Sequence, residues 1–144
     1  MATEAQLQED LKGAMKARDM DTVYVLRGLL AVIKNLKVEK RVAQLPEVDI
    51  AGLVRKEINK RTEAADFARQ ANRLELVEKN EHEKKLLEKY LPQQLSAEAL
   101  QAIIKEIAAE LGTTQIGPIM AKLRERHAAQ FDGKLASDLI RKLA

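Results

Sequence analysis

Basic residues concentrate near the carboxyl end of the chain. After Gly112, six Lys or Arg stand against three Asp or Glu. Such a cluster attracts a phosphate backbone, and helix N-termini near Gly117 and Gly133 would add amide donors for anions. Because basic side chains also simply solvate helix faces, charge alone leaves a solvated basic surface as the alternative. The candidate RNA-binding residues are Lys122, Arg124, Arg126, Lys134, Arg141 and Lys142.

A second basic line is expected on an earlier helix. Arg27, Lys34 and Arg41 follow one another at intervals of seven residues, so a helix places them along one face beside its apolar arc. They either contact RNA or cover the edge of the core with their aliphatic stems while the charges stay in water. We rank this line second to the cluster near the carboxyl end.

Two charged residues interrupt an otherwise apolar helical stripe. Glu57 and Arg61 are four residues apart within it. Charges in such a place are costly unless they are paired, so we expect these two to pair with each other or with Arg27. We predict a structural role for this ion pair.

The sequence offers little material for catalysis or for metal binding. His82 and His127 are far apart among charged or small residues, and we interpret both as solvated. Ser96 and Ser137 lie where a helix start or a helix surface explains them, and cysteine is absent. Neither phosphate-binding glycine motif, GxxxxGK or GxGxxG, occurs. We therefore predict no catalytic, cofactor-binding or metal-binding residue.

Composition indicates a helical globular protein. Hydrophobic residues make up 46% of the 144 residues and charged residues 33%, with only three Pro and six Gly. A formal net charge of +3 permits an acidic partner without requiring one. The absence of cysteine, of an export signal and of a sufficiently long apolar stretch predicts a cytoplasmic protein that does not bind membranes.

Helical periodicity runs through the chain without a convincing strand, which predicts an all-α fold. Asp19 or Asp21 is expected to cap the second helix, which should be the central helix of its bundle. The pattern leaves open whether residues 47–91 form one helix or two helices broken near Asn72. The apolar positions expected on this stretch are Ile50, Leu53, Val54, Ile58, Ala64, Ala65, Phe67, Ala68, Ala71, Leu74, Val77, Leu87 and Leu91.

The sequence YLPQQLS contains the clearest boundary in the chain. Proline disfavours helix at the residue before it, and Ser96 can cap a new helix. We predict an N-terminal helical domain over residues 1–92 and a three-helix C-terminal tail domain over residues 93–144.

Three helices are expected in the tail. Gly112 occupies the place of a left-handed C-cap after the first, and Thr113 or Thr114 is expected to cap the second. The last helix is expected to carry the apolar residues Leu135, Leu139, Ile140 and Leu143.

Five segments in a fixed order resemble one known family. They read RGLLAVIKNLKVEKR, VRKEINKRTEAADFARQANR, EKYLPQQLS, IGPIMAKL and FDGKLASDLIRKLA. Together they are similar to the YqeY-like family (GatB/YqeY) from end to end. Its members are small bacterial proteins whose C-terminal portion is related to the tail of the B subunit of aspartyl/glutamyl-tRNA amidotransferase.

The resemblance implies an all-helical N-terminal domain followed by a small helical tail that, in the amidotransferase, helps to hold tRNA. By that analogy Lys134 is the phosphate contact, Asp132 and Gly133 form a turn, and Met120 belongs to the core. The chain departs from the family at residues 128–131, where bulkier residues precede the turn. The positions matching the late family motif are Gly117, Met120, Asp132, Gly133, Lys134 and Ser137.

The resulting hypothesis is a non-catalytic helical protein with a tRNA-binding tail that acts beside translation enzymes or in tRNA metabolism. Its expected partners are tRNA and a translation-related protein. The alternatives are a protein–protein interaction adaptor and, by family label only, a glutamine-dependent carbon–nitrogen ligase. A homodimer through the alanine stripe is also left open, because one sequence does not fix the oligomeric state.

Overall fold

The computed structural model describes residues 2–143, and within that range the chain forms seven helices and no strand. The prediction of an all-α fold is confirmed. The helices, α1 to α7 in chain order, cover Glu4–Ala17, Met20–Lys40, Glu47–Gln70, Leu74–Glu88, Ala97–Leu111, Ile116–Arg126 and Gly133–Arg141.

The helices divide into two compact units. The N-terminal unit ends at Pro92 and contains α1 to α4, and the C-terminal unit begins at Gln93 and contains α5 to α7. Each unit has its own hydrophobic core.

Helix α2 is the centre of the N-terminal unit, because it contacts α1, α3 and α4. Of the two expected capping residues, Asp19 is the one used: its carboxylate accepts hydrogen bonds from the backbone N–H and the hydroxyl of Thr22. The N-terminal core consists of Leu7, Val25, Leu26, Leu29, Ile33, Leu45, Ile50, Val54, Ile58 and Leu87.

Helices α3 and α4 form a hairpin, so residues 47–91 contain two helices. Asn72 lies between them with a φ of 57°, a left-handed conformation that ends a helix and that asparagine tolerates well. Beside the turn, Arg69 of α3 lies 2.8 Å from a carboxylate oxygen of Glu81 in α4.

The apolar stripe expected along α3 and into α4 is narrower than the sequence predicts. Beyond Ile58, Ala65 and Ala68 are buried. Phe67 and Leu74 are each 69% exposed, so their placement in the stripe was wrong. The reason is that α3 packs here mainly against α4, and small residues are sufficient to fill that contact. Ala64 and Ala71 are likewise exposed.

Local capping residues define the first helix of the C-terminal unit. The hydroxyl of Ser96 accepts a hydrogen bond from the backbone N–H of Ala99 at 3.1 Å, and Gly112 ends α5 with a φ of 66°. Helix α6 begins after Gln115, so the expected threonine cap was wrong. Thr113 lies too far upstream, and its hydroxyl instead accepts from the Gln115 N–H at 3.1 Å.

The segment between α6 and α7 is tied to the start of the C-terminal unit. The backbone N–H of Leu95 donates to the carbonyl of Gln130 at 2.8 Å, and the side chain of Gln94 donates to the carbonyl of Ala129 at the same distance. Leu135, expected in the apolar set of α7, is 36% exposed. The buried core of this unit consists of Leu100, Ile104, Ile107, Ile119, Met120, Leu123, Phe131, Ala136 and Ile140.

Candidate nucleic-acid interface

Three of the six candidate cations in the C-terminal unit lie near carboxylates. Arg126 makes the strongest pair, with its two terminal nitrogens 2.8 Å and 2.7 Å from the two oxygens of Glu110. These hydrogen bonds lower the pKa of Glu110 and raise the pKa of Arg126. Lys122 lies 3.5 Å from Glu125, and Arg141 lies 3.8 Å from an acidic residue one turn earlier.

The other three candidates make no ion pair among residues 2–143: Arg124, Lys134 and Lys142 are exposed to solvent. Arg124 lies two residues before Arg126, or roughly 200° around the helix, so the two side chains leave α6 on different flanks. Lys134 and Arg141 are seven residues apart and share the exposed face of α7.

Positive charge belongs to α6 and α7 rather than to the whole C-terminal unit. Helix α5 carries Glu98, Glu106 and Glu110 against a single cation, Lys105. Residues 93–144 therefore contain seven Lys or Arg and six Asp or Glu. The excess of basic residues after Gly112 leaves out the acidic residues of α5, which precede Gly112. Within this unit, the charge that favours a phosphate backbone therefore lies on α6 and α7.

The Asp-Gly-Lys sequence begins α7. Asp132 is the N-cap, and its carboxylate accepts a hydrogen bond from the backbone N–H of Lys134 at 3.2 Å. Gly133 is helical, and a Cβ atom added there would meet nothing within 4 Å. Neither steric space nor a positive φ therefore requires glycine at this start, and Lys134 stands exposed in the first turn.

The basic line expected on α2 is shorter than the spacing predicts. Arg27 and Lys34 are exposed on the helix, whereas Arg41 is its C-cap with a left-handed φ of 57°. Arg41 therefore follows the last residue of α2, and only Arg27 and Lys34 of this line lie within the helix.

Glu57 and Arg61 belong to a charged network that joins α3 to α4. A terminal nitrogen of Arg61 lies 3.3 Å from Glu57, and its other terminal nitrogen lies 3.9 Å from Glu83 of α4. Lys60 lies 3.0 Å from the second oxygen of Glu57. Both glutamates are buried, at 7% and 6% exposure. The sequence gives no signal for Glu83, because its neighbours in α4 are charged as well.

Two adjoining cavities lie beside this network, and together we name them the α2–α4 groove. The first has a volume of about 460 Å³ and is lined by Met20, Tyr24, Arg27, Glu57 and Arg61, among others. The second, of about 350 Å³, shares Tyr24 and Arg61 with the first. Its further lining includes Lys60, Ala64, Lys79 and Glu83.

Neither histidine lies in a cluster that fits a metal ion. His82 is exposed, with its Nε2 3.7 Å from Asp21. His127 is half-buried rather than solvated as expected, and its Nδ1 lies 3.3 Å from the side-chain oxygen of Gln130. Across residues 2–143 no group of three or more Asp, Glu, His or Cys is placed to bind a metal. In the same range, no helix has the length and apolar character needed to cross a membrane.

Fold and charge together define a class of small all-helical protein with two compact units and a basic α6–α7 surface. The chain belongs to the YqeY-like family, since the family model described as Yqey-like protein matches residues 4–143.

Yeast proteins named "Altered inheritance of mitochondria protein 41, mitochondrial" are among the relatives of this chain. The protein of Vanderwaltozyma polyspora is 27% identical over 81% of this chain and 66% of its own length. That of Lachancea thermotolerans is 34% identical over 74% of this chain and 58% of its own length. That of Kluyveromyces lactis is 35% identical over 74% of this chain and 59% of its own length. The chain thus spans about two thirds or less of the length of these relatives.

Proposed function

We propose that the protein binds tRNA through the exposed cations of α6 and α7, without chemistry of its own, and assists translation or tRNA metabolism. The observation that carries this proposal is the set Arg124, Lys134 and Lys142, three exposed cations that make no ion pair among residues 2–143. The similarity of the late segments to the tRNA-holding tail of the amidotransferase supports the same surface.

Ion pairing ranks the six candidate cations. A cation whose charge is already balanced gains less from a phosphate, because it must first give up its carboxylate. Arg126, which donates two hydrogen bonds to the Glu110 carboxylate, should therefore contribute least. Arg124, Lys134 and Lys142 should contribute most, with Lys122 and Arg141 between them.

We place this function in the cytoplasm, beside a translation-related protein partner. The names of the yeast relatives place those proteins in mitochondria. Translation with tRNA takes place in both compartments, so an RNA-binding role is compatible with either location.

The test measures binding of the full-length protein to bulk tRNA across a salt series. The tail variant has Arg124, Lys134 and Lys142 changed to alanine. The control variant loses the same number of positive charges elsewhere, through Lys12→Ala, Lys16→Ala and Lys85→Ala. These control residues are exposed and lie in the N-terminal unit.

Wild-type affinity should fall steeply with salt, and the tail variant should bind more weakly with a log–log slope shallower by about 2 to 3. The control variant should keep the slope of the wild type. Equal behaviour of the two variants, or no binding by the wild type at low salt, would refute the proposal.

A further inference from the structure

Two aromatic rings of the N-terminal unit, one on α2 and one on α3, are exposed to solvent. The chain has only two Tyr, two Phe and no Trp. Tyr90 packs against the N-terminal core and Phe131 lies within the C-terminal core. Tyr24 and Phe67, by contrast, are 65% and 69% exposed. Two of the four Tyr and Phe residues are thus exposed to solvent on the N-terminal unit.

Both exposed rings lie on faces that line the groove. Tyr24 lines both of its cavities. On α3, Lys60 and Ala64 line the second cavity, and Phe67 follows them at the spacing that keeps residues on one helical face. From Lys60 to Phe67 this face extends for about 10 Å. Tyr24 of α2 therefore lies in the groove, and Phe67 lies about one turn beyond Ala64 on the same face of α3.

Cations predominate at the rim of the groove. Its two lining carboxylates, Glu57 and Glu83, are buried and lie near Arg61. Arg27 makes no ion pair among residues 2–143, so its charge stays uncompensated at the mouth of the first cavity. In the second cavity, Lys79 lies over the ring of Tyr24 with its Nζ 5.9 Å from the ring centre. Exposed aromatic rings together with cations that make no ion pair are the combination that binds unpaired nucleic acid, by base stacking and phosphate attraction.

Charged side chains line both cavities of the groove. An apolar peptide helix inserts its side chains into a hydrophobic groove, whereas here Glu57 and Arg61 line the first cavity and Arg61 and Glu83 line the second. A nucleobase needs only a flat ring to stack on, and its phosphate complements the positive rim. The bases must be unpaired, because paired bases in an RNA helix do not offer their faces.

We propose that the α2–α4 groove binds a short unpaired stretch of RNA, with bases stacked on Tyr24 and Phe67 and phosphates beside Arg27 and Lys79. This inference deepens the proposed function and rests on it, since it adds a second contact of different chemistry for the same class of ligand. Helices α6 and α7 attract a phosphate backbone by charge, whereas the groove selects single strands by stacking.

The test uses full-length protein and a fluorescein-labelled single-stranded RNA of twelve mixed-sequence nucleotides. The double variant Tyr24→Ala with Phe67→Ala removes both rings, and the exposure of these side chains keeps the core intact. The variant Tyr24→Phe with Phe67→Tyr keeps both rings and serves as the matched control. The same RNA in a duplex, and a glutamate-rich peptide of equal charge, serve as competing probes.

The wild type should bind the single strand more tightly than the duplex and more tightly than the peptide. The alanine double variant should lose at least about thirtyfold in affinity, because it removes the stacking free energy of two bases, each taken at the low end of the typical range. The ring-preserving variant should stay within about threefold of the wild type. Equal loss in both variants, unchanged binding in the alanine variant, or preference for the peptide would overturn the inference.

The two proposals fail separately. If tRNA binding depends on Arg124, Lys134 and Lys142 but the single strand does not bind, the groove inference is wrong and the proposed function stands. The opposite result is that the single strand binds through Tyr24 and Phe67 while the triple alanine variant of α6 and α7 binds tRNA as tightly as the wild type. In that case, the proposal that α6 and α7 bind tRNA is wrong and the groove inference stands.

Discussion

At the scale of single residues, Arg61 determines whether two buried carboxylates are tolerated. Its guanidinium lies near Glu57 on its own helix and near Glu83 on α4, and the Arg61 side chain is itself only 15% exposed. Lys60 approaches the same Glu57 but is largely in solvent, with its side chain 67% exposed. Arg61 therefore interacts with Glu57 in a buried environment of low dielectric constant, whereas Lys60 interacts with it from the solvent.

Changing Arg61 to alanine should destabilise the hairpin of α3 and α4 by about 3 kcal/mol, because it leaves two carboxylates buried without their main cation. Lys60→Ala should cost less than about 1 kcal/mol, since a solvated ion pair contributes little. Hydrogen exchange of the α3 and α4 amides measures both values. Similar losses in the two variants would show that burial does not govern this network.

At the scale of elements, two backbone positions share a left-handed conformation but carry different residue types. Gly112 ends α5 with a φ of 66°, where glycine is the easiest residue to accommodate. Ala129 takes a φ of 62° between α6 and α7, where an alanine is strained.

Gly112→Ala should destabilise the C-terminal unit by about 1 kcal/mol, and Ala129→Gly should stabilise it by up to about 1 kcal/mol. Gly133→Ala is the control, because Gly133 is helical and has open space; it should be neutral or slightly stabilising. Exchange protection of the α5 amides measures all three. Loss of protection in the Ala129→Gly variant would contradict the assignment of strain.

Local chemistry explains which features of the elements are predictable from sequence. Asp19, Ser96 and Gly112 act within one turn of their own position, so their roles follow from nearby residues alone. The exposure of Phe67 and Leu74 does not follow from nearby residues, because it depends on how far a neighbouring helix extends across the apolar face. A periodic pattern identifies the face of a helix but not the width that a partner covers.

At the scale of the whole molecule, the chain has two separate hydrophobic cores, one in each unit. Ile107 is fully buried in the C-terminal core and Leu29 in the N-terminal core. A unit of about fifty residues has little stability to spare.

Ile107→Ala should cost about 2 to 5 kcal/mol and remove the exchange protection of α5 to α7, while α1 to α4 keep theirs. Leu29→Ala is the reciprocal variant: it should remove the exchange protection of α1 to α4, while α5 to α7 keep theirs. Hydrogen exchange followed by mass spectrometry resolves the two sets of peptides. Simultaneous loss throughout the chain in either variant would show that the two cores unfold as one.

The candidate sites differ in how far the sequence reveals them. The cations of α6 and α7 are visible in the sequence as a run of charge, whereas the ion pair between Arg126 and Glu110 of α5 is not. The α2–α4 groove brings together Tyr24, Arg61 and Lys79 from three helices. Only the fold makes them neighbours, so no pattern within one helix predicts the groove.

The placement of the two tyrosines gives the protein an optical reporter of its own. With no tryptophan, its near-ultraviolet emission comes mainly from Tyr24 and Tyr90. The hydroxyl of Tyr90 donates to Asp10 at 2.7 Å, and burial together with this carboxylate raises the pKa of Tyr90. A carboxylate so close to the hydroxyl quenches tyrosine fluorescence, which leaves Tyr24, at the groove, as the brighter of the two. Occupancy of the groove should therefore be readable as a change in intrinsic emission, without any label on the protein.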